Sequence, residues 1–277
     1  MAQVWLVTGS SRGLGRAIVE VGLAAGNKVL ATARGIESLG DLSERYGHQI
    51  KLFSLDVTDE SAAAGAIDTA IDAFGSLDVV INNAGYGNLS SIEDTPMADF
   101  RAQIETNLFG TIIVTKAALP YFRERKTGHF IQFSSVGGRI GPPGRGPYSA
   151  AKWGVEGFSE VLSREVAPLG IKVTIVEPGG FRTDFAGSST ELSEGHPAYD
   201  STVGATARFQ RNYNGKQPGD PKKAAQAIIQ LTQERNPPLR LLLGSDAYAA
   251  VEKNDLARLE EARIWKELSV STDFETE

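Results

Sequence analysis

Tyr148 and Lys152 stand four residues apart at the start of a helix-like run, PYSAAKWGVEGF, with Ser135 thirteen positions upstream. In a helix, residues i and i+4 share a face. The ammonium of Lys152 is therefore placed to lie under the phenol of Tyr148 and to hold its conjugate base. A free tyrosine titrates near ~10, and bringing it to neutrality requires roughly 4 kcal/mol of differential stabilisation. A unit charge ~4 Å away at an effective dielectric of ~20 supplies about that much. Ser135 adds a hydroxyl that can share a substrate oxygen. The trio offers a proton donor, a charge that tunes it and a hydroxyl to share the substrate oxygen. A YxxxK spacing alone also describes many solvated helix faces, so its meaning depends on the elements around it.

The N-terminal segment supplies such elements. Residues 3–7 form a short apolar run of strand formers; TGSSRGLG follows, leading into the helical pattern RAIVEVGLAAG. Gly9, Gly13 and Gly15 have the spacing GxxxGxG. Small residues there let the backbone approach a pyrophosphate, whose charge meets the unpaired N–H groups and positive dipole end of the helix. The plain alternative is a tight turn without a ligand. The Lys-Ser or Lys-Thr of a phosphoryl-transfer loop is absent.

Further motifs follow in order. Asp56 and Val57 succeed the strand-like KLFSL; Asn82, Asn83, Ala84 and Gly85 close LDVVI; Pro178, Gly179 and Thr183 follow IKVTIVE, with Phe181 between them. On these motifs the chain resembles the short-chain dehydrogenase/reductase family over most of its length. The resemblance implies a cofactor motif at Thr8, Gly9, Ser10, Ser11, Arg12, Gly13, Leu14 and Gly15. It implies an adenine-side acid at Asp56 beside Val57, and cofactor contacts from Asn83, Ala84 and Gly85. A nicotinamide clamp is implied at Pro178, Gly179, Phe181 and Thr183. The implied catalytic tetrad is Asn107, Ser135, Tyr148 and Lys152, of which Tyr148 and Lys152 also touch the cofactor. In the family Asn107 would disturb its helix and order a water.

The second strand bears on cofactor choice. An NAD site commonly ends that strand with an acid for the ribose 2′-OH, whereas a 2′-phosphate needs the acid absent and an arginine nearby. Here it ends Ala31, Thr32, Ala33, Arg34. Arg34 can fork onto a phosphate, Arg12 adds a second cation from within the glycine loop, and Ser11 adds a hydroxyl. The expected cofactor is NADP(H); the plain alternative is that Arg34 only snorkels to solvent.

Strand-like runs recur at VWLVT, KVLATA, IKLFSL, LDVVI, GHFIQFS, IKVTIVE and LRLLL, separated mostly by helix-like stretches. The alternation predicts an α/β chain: one Rossmann-type, doubly wound parallel sheet of about seven strands with helices on both faces, a single domain over 1–277. Thr58 and Asp59 are both candidate N-caps for ESAAAGAIDTAIDAFG. Two helices are expected after Pro96. Periodicity is lost from Ala186 to Pro221, and 186–220 reads as an irregular substrate lid, since loops that close over a site exclude water. A C-terminal helix beginning near Ser245 and a frayed acidic tail occupy 245–277.

The chain has 277 residues, a 41% hydrophobic content, net charge −6 and no cysteine, which removes disulfides and thiol catalysis together. No basic run suggests a nucleic-acid or anionic-membrane partner. The first residues enter a strand directly, leaving no room for a signal peptide, and no apolar stretch is long enough for a membrane span, so a cytoplasmic protein is expected. His48, His129 and His196 have no metal-ligand spacing and read as loop or surface residues; no metal site is expected.

The expected reaction is hydride transfer between the nicotinamide C4 and a carbonyl carbon. Tyr148 would be general acid/base, Ser135 would polarise the oxygen, Lys152 would tune the tyrosine and hold the ribose, and Asn107 would position a water. Tyr86, the Gly137 to Pro143 loop, Phe181 and Phe185 suggest a partly apolar pocket for a bulky ketone or aldehyde, steroid-, retinoid- or aromatic-like. A homodimer or homotetramer is expected from the resemblance and from two helices, after Pro96 and after Tyr148, that could pair across a two-fold axis. The alternatives are a catalytically silent NADP-sensing or scaffold protein on this fold, which the intact tetrad disfavours, and a methyltransferase, which Arg34 disfavours.

Overall fold

A computed structural model describes residues 2–187 and 190–274. The seven expected strands all form: β1 Val4–Val7, β2 Lys28–Ala33, β3 Ile50–Ser54, β4 Val79–Asn82, β5 Gly128–Phe133, β6 Ile171–Pro178 and β7 Arg240–Leu243. They pair in parallel in the order β3-β2-β1-β4-β5-β6-β7. The helices are α1 Gly13–Ala24, α2 Gly40–Tyr46, α3 Glu60–Phe74, α4 Met97–Ile104, α5 Gly110–Arg125, α6 Gly146–Val166, α7 Ala205–Tyr213, α8 Pro221–Gln233, α9 Ser245–Ile264 and α10 Lys266–Val270.

Successive residues of a strand point to opposite faces, and β1 shows it. Trp5 and Val7 enter a core with residues of α1 and α8, while Val4 and Leu6 enter a second core with residues of α3 and α5. Helices on both faces explain why β1, β4 and β5 are buried throughout and read as continuous apolar runs. After β3 the chain returns to pair β4 beside β1. That reversal of strand order opens a crevice beyond the carboxyl ends of β1 and β4, the place where such sheets bind ligands.

Two expectations are corrected. The 186–220 segment is not irregular throughout: short helical turns at Pro197–Tyr199 and Asp200–Gly204 lead into α7. Its buried face consists of Val203, Ala207 and the polar Gln210, so no apolar period was visible, and Leu89 with Leu192 and Tyr199 packs around the first two. Positions 188 and 189 of that segment, and 275–277 of the expected tail, lie outside the described residues. His129 is neither loop nor surface. It lies buried on β5 with Nε2 3.1 Å from Thr174 Oγ1, and burial depresses its pKa to about 3. The two helices after Pro96 are joined through one π-type turn at Glu105–Phe109, which carries Asn107. Of the two cap candidates Asp59 caps α3, accepting from Ala62 N–H, while Thr58 donates to Asp56.

Candidate active site

The glycine loop is held by close approach. Gly9 and Gly13 have φ of +67° and +59°, the left-handed region that glycine enters without a Cβ clash. A Cβ on Gly15 would lie 2.2 Å from the Gly9 carbonyl oxygen, so Gly15 shapes the loop from behind. Of the expected cofactor motif, Thr8, Ser10 and Gly15 do not line the cleft. Thr8 Oγ1 accepts from the N–H groups of Asn83 and Ala84, and Asn83 Nδ2 donates to the carbonyls of Thr8 and Gly9 at 2.9 and 3.1 Å. The loop after β1 and the turn after β4 are thereby one rigid unit, with Gly85 next in line. Asn82 has a different task, linking Thr115 and Gln132 inside the sheet.

Loop and turn line a cleft of about 470 Å³. Arg12 begins α1 with no side-chain cap, leaving the first-turn N–H groups to face the cleft; Ser11, Gly13 and Leu14 also line it. Arg34, at the end of β2, is exposed and lines the cleft too. Among the described residues neither Arg12 nor Arg34 has a carboxylate partner. Asp56 Oδ1 accepts from Thr58 N–H and Oγ1, which hold its carboxyl below the usual range, aided by the Arg34 charge. Val57 beside it packs where a Cβ on Gly110 would clash, 2.4 Å from Val57 Cγ2.

At the other end, Gly179 donates to the Leu243 carbonyl and Gly180 N–H donates to Asp246 Oδ2, so the first turn of α9 fixes the backbone after Pro178. Phe181 bridges to Gly219, and Thr183 faces Gly13. Pro178, Gly179, Phe181 and Thr183 line the cleft together with the glycine loop.

Ser135, Tyr148 and Lys152 meet at the floor. Ser135 Oγ accepts from Gly137 N–H, and both it and the Tyr148 ring lie against Gly137, which lets the hydroxyl act on the phenol. A Cβ on Gly87 would lie 2.7 Å from the tyrosine ring, so the chain passes the phenol closely. Burial raises the Tyr148 pKa, while the Ser135 hydroxyl and the Arg145 charge pull it down. Lys152 Nζ donates to the Phe133 carbonyl at 2.7 Å and lies over the Tyr148 ring, 5.7 Å from its centroid. Burial lowers its pKa to about 8. Asn107 disturbs its helix at the π-type turn. Its Nδ2 donates to the carbonyls of Tyr86 and Gln103, both at 2.8 Å, and its Oδ1 accepts from Tyr86 N–H. The buried side chain clamps the backbone beside Gly85; the π-type turn gives it room to do so.

A family model described as short chain dehydrogenase matches residues 3–193. The chain belongs to the short-chain dehydrogenase family. It is 47% identical over 276 residues to the oxidoreductase BOA17 of Botryotinia fuckeliana, covering 98% of this chain and 100% of that one. A short-chain dehydrogenase from Streptomyces avermitilis superposes with a TM-score of 0.92 at 42% identity, covering 99% and 100% of the two chains. A closed serine dehydrogenase complexed with NADP⁺ aligns at a TM-score of 0.75 and 25% identity, over 87% and 94%. The chain is thus an oxidoreductase of this family, and among the described residues no helix is long and apolar enough to cross a membrane. No group of potential metal ligands occurs among them either.

Sequence reasoning missed Arg145, Thr206, Phe209, Gln210, Tyr213 and Gln217, all of which line the cleft. Arg145 lies only three residues before Tyr148, but nothing in RGPY indicates an inward guanidinium. The others come from α7 and the turn after it, where no apolar period announced a helix.

Proposed function

We propose that the chain is an NADP(H)-dependent oxidoreductase interconverting a carbonyl and an alcohol. The observation that carries this reading is the convergence of Ser135, Tyr148 and Lys152 on one cleft with an unobstructed glycine loop and two arginines free of carboxylate partners among the described residues. NADPH supplies the hydride when bound. Carbonyl, NADPH and a proton yield alcohol and NADP⁺.

The residues divide the remaining work. Gly9, Gly13 and the uncapped start of α1 leave backbone space and N–H donors for a pyrophosphate, a cradle that a Cβ at Gly9 would close by meeting Ala84 Cα at 2.8 Å. Arg12, Arg34 and Ser11 hold the 2′-phosphate; Asp56 and Val57 line the adenine side, and Asn83, Ala84 and Gly85 the base of the cleft. Pro178, Gly179, Phe181 and Thr183 keep the nicotinamide in place. Ser135 donates to the substrate oxygen, and Tyr148 passes it the proton. Lys152, anchored by Phe133, holds the ribose, and Arg145 is the charge that acts on the tyrosine. Asn107 is a positioning residue through Tyr86. The 186–220 segment acts as a lid, with α7 as its inner wall. Phe109, Trp153 and Val161 are exposed on the π-type turn and α6 and support a homodimer, which light scattering tests.

Carbonyl-dependent oxidation of NADPH, followed by absorbance over a panel of ketones and aldehydes, tests the reading. Turnover is expected for aromatic carbonyls. NADPH binding with no turnover across the panel would favour the silent sensor instead.

A further inference from the structure

The cleft contains polar groups whose hydrogen-bonding capacity the reaction does not use. Arg145, just before α6, lies with its guanidinium carbon 5.9 Å from the Tyr148 ring centroid. Its Nη1 donates to the Gly87 carbonyl at 2.8 Å and its Nη2 to Gln210 Oε1. Both acceptors are neutral, and among the described residues no carboxylate pairs with it. Burial pushes its pKa down, and the charge that pulls it back is that of Tyr148. A guanidinium withdrawn from water is costly unless an anion or well-placed acceptors meet it. It carries five N–H donors in a planar fork suited to a carboxylate.

Gln210 is 8% exposed, and its Nε2 has no partner; Gln217 is 1% exposed, with neither amide atom partnered. Buried polar atoms normally find partners, so orphans that line a cleft point to a ligand. Gln210 already touches Arg145, and both line the same cleft as Tyr148. Asp184, the acid of this wall, is exposed next to Thr183 at the cofactor end and does not act on Arg145. Phe185, with its ring 5.6 Å from that of Tyr148, offers an apolar surface beside the reacting position.

We propose that Arg145 and the Gln210 carboxamide form a carboxylate subsite, so that the enzyme takes carbonyl compounds bearing a carboxylate, such as oxo acids or acyl-substituted aromatic acids. The subsite rests on the reading of Tyr148 as the carbonyl end of the cleft. The carboxylate is unchanged in the reaction; it accepts from the guanidinium and from Gln210 Nε2 and orients the carbonyl toward Tyr148 and Ser135.

The test is calorimetric titration of the enzyme–NADP⁺ complex, in which a ketone cannot be reduced, with para-acetylbenzoate and with its methyl ester. Wild type should bind the acid at least about tenfold more tightly than the ester, the scale of one charge-assisted contact. The ratio should fall toward one in Arg145→Met and shrink in Gln210→Leu, whose substitution leaves the guanidinium in place. Absence of an acid preference in wild type, including failure of either ligand to bind, overturns the subsite, as does a ratio kept in Arg145→Met; should that variant not fold, wild type and Gln210→Leu decide. Reduction of the ester by NADPH is measured alongside. Its absence counts against the carbonyl-reducing reading, while the affinity ratio still decides the subsite.

Discussion

The ammonium of Lys152 is bound to the carbonyl oxygen of Phe133 at 2.7 Å, so the last residue of β5 fixes the lysine that α6 presents beside Tyr148. A buried lysine with one neutral acceptor resists carrying charge, and its pKa falls to about 8 from 10.5, with Glu156 opposing the fall. The unfolded state binds more protons than the folded one between those values. Stability contributed by this group therefore rises with pH from about 8 to 10.5, and the cost of the buried charge is fully present below about 8. The ribose-holding role needs the charge. NADPH affinity is expected to weaken as pH rises through about 8 in wild type, and to show no such break in Lys152→Met, measured by fluorescence titration.

Cofactor choice follows from charge placement. Each charge-assisted contact to a 2′-phosphate contributes roughly 1.5 to 3 kcal/mol, so Arg34→Ala should reduce the preference for NADPH by at least about tenfold. Ala33→Asp combined with Arg34→Ala should go further, since the new carboxylate accepts from a ribose 2′-OH and repels the phosphate. The ratio of kcat/KM values for NADPH and NADH reports both. A wild-type preference for NADH, or an unmoved ratio in the double variant, would mean that the arginines serve another purpose.

Glu177, fully buried on β6, accepts from Arg139 Nη1 at 2.9 Å and stands near the Glu156 carboxylate of α6, with Oε2 of Glu177 and Oε1 of Glu156 both lacking a partner. Burial and the Glu156 charge raise its pKa to about 7. The folded state then binds more protons than the unfolded one between 4.5 and about 7, so this group's stabilisation is lost as pH rises through that window. His129 acts oppositely: depressed from 6.5 to about 3, it withdraws stability as pH falls through that range. Single variants separate the two. The melting temperature of Glu177→Gln relative to wild type should rise between pH 4.5 and about 7 and level off above; a constant difference would contradict the raised Glu177 pKa.

Most of the frame was legible because its signals are local. Gly9, Gly13 and Gly15 mark close approaches, and seven apolar runs separated by helical patterns specify the parallel sheet. What escaped depends on distant partners. The Lys152 bond to Phe133 joins residues nineteen apart, and Arg145 meets Gln210 sixty-five residues away. α7 hides because one of its buried residues is a glutamine and its first-turn partner, Val203, sits in the preceding turn. His129 misled because a polar residue inside GHFIQF is buried with its Nε2 against Thr174 of the neighbouring strand, a contact with a residue forty-five positions away.

The proton donor is the centre of the account, and Tyr148→Phe isolates it by keeping the ring while removing the hydroxyl. General acid catalysis contributes typically about 10²–10⁴-fold. Single-turnover reduction of an aromatic ketone by enzyme-bound NADPH, measured with cofactor affinity on the same samples, should therefore slow by at least about a hundredfold in Tyr148→Phe while NADPH binding stays within a few fold of wild type. Reduction at a rate near that of wild type, with the cofactor still bound, would contradict the assignment.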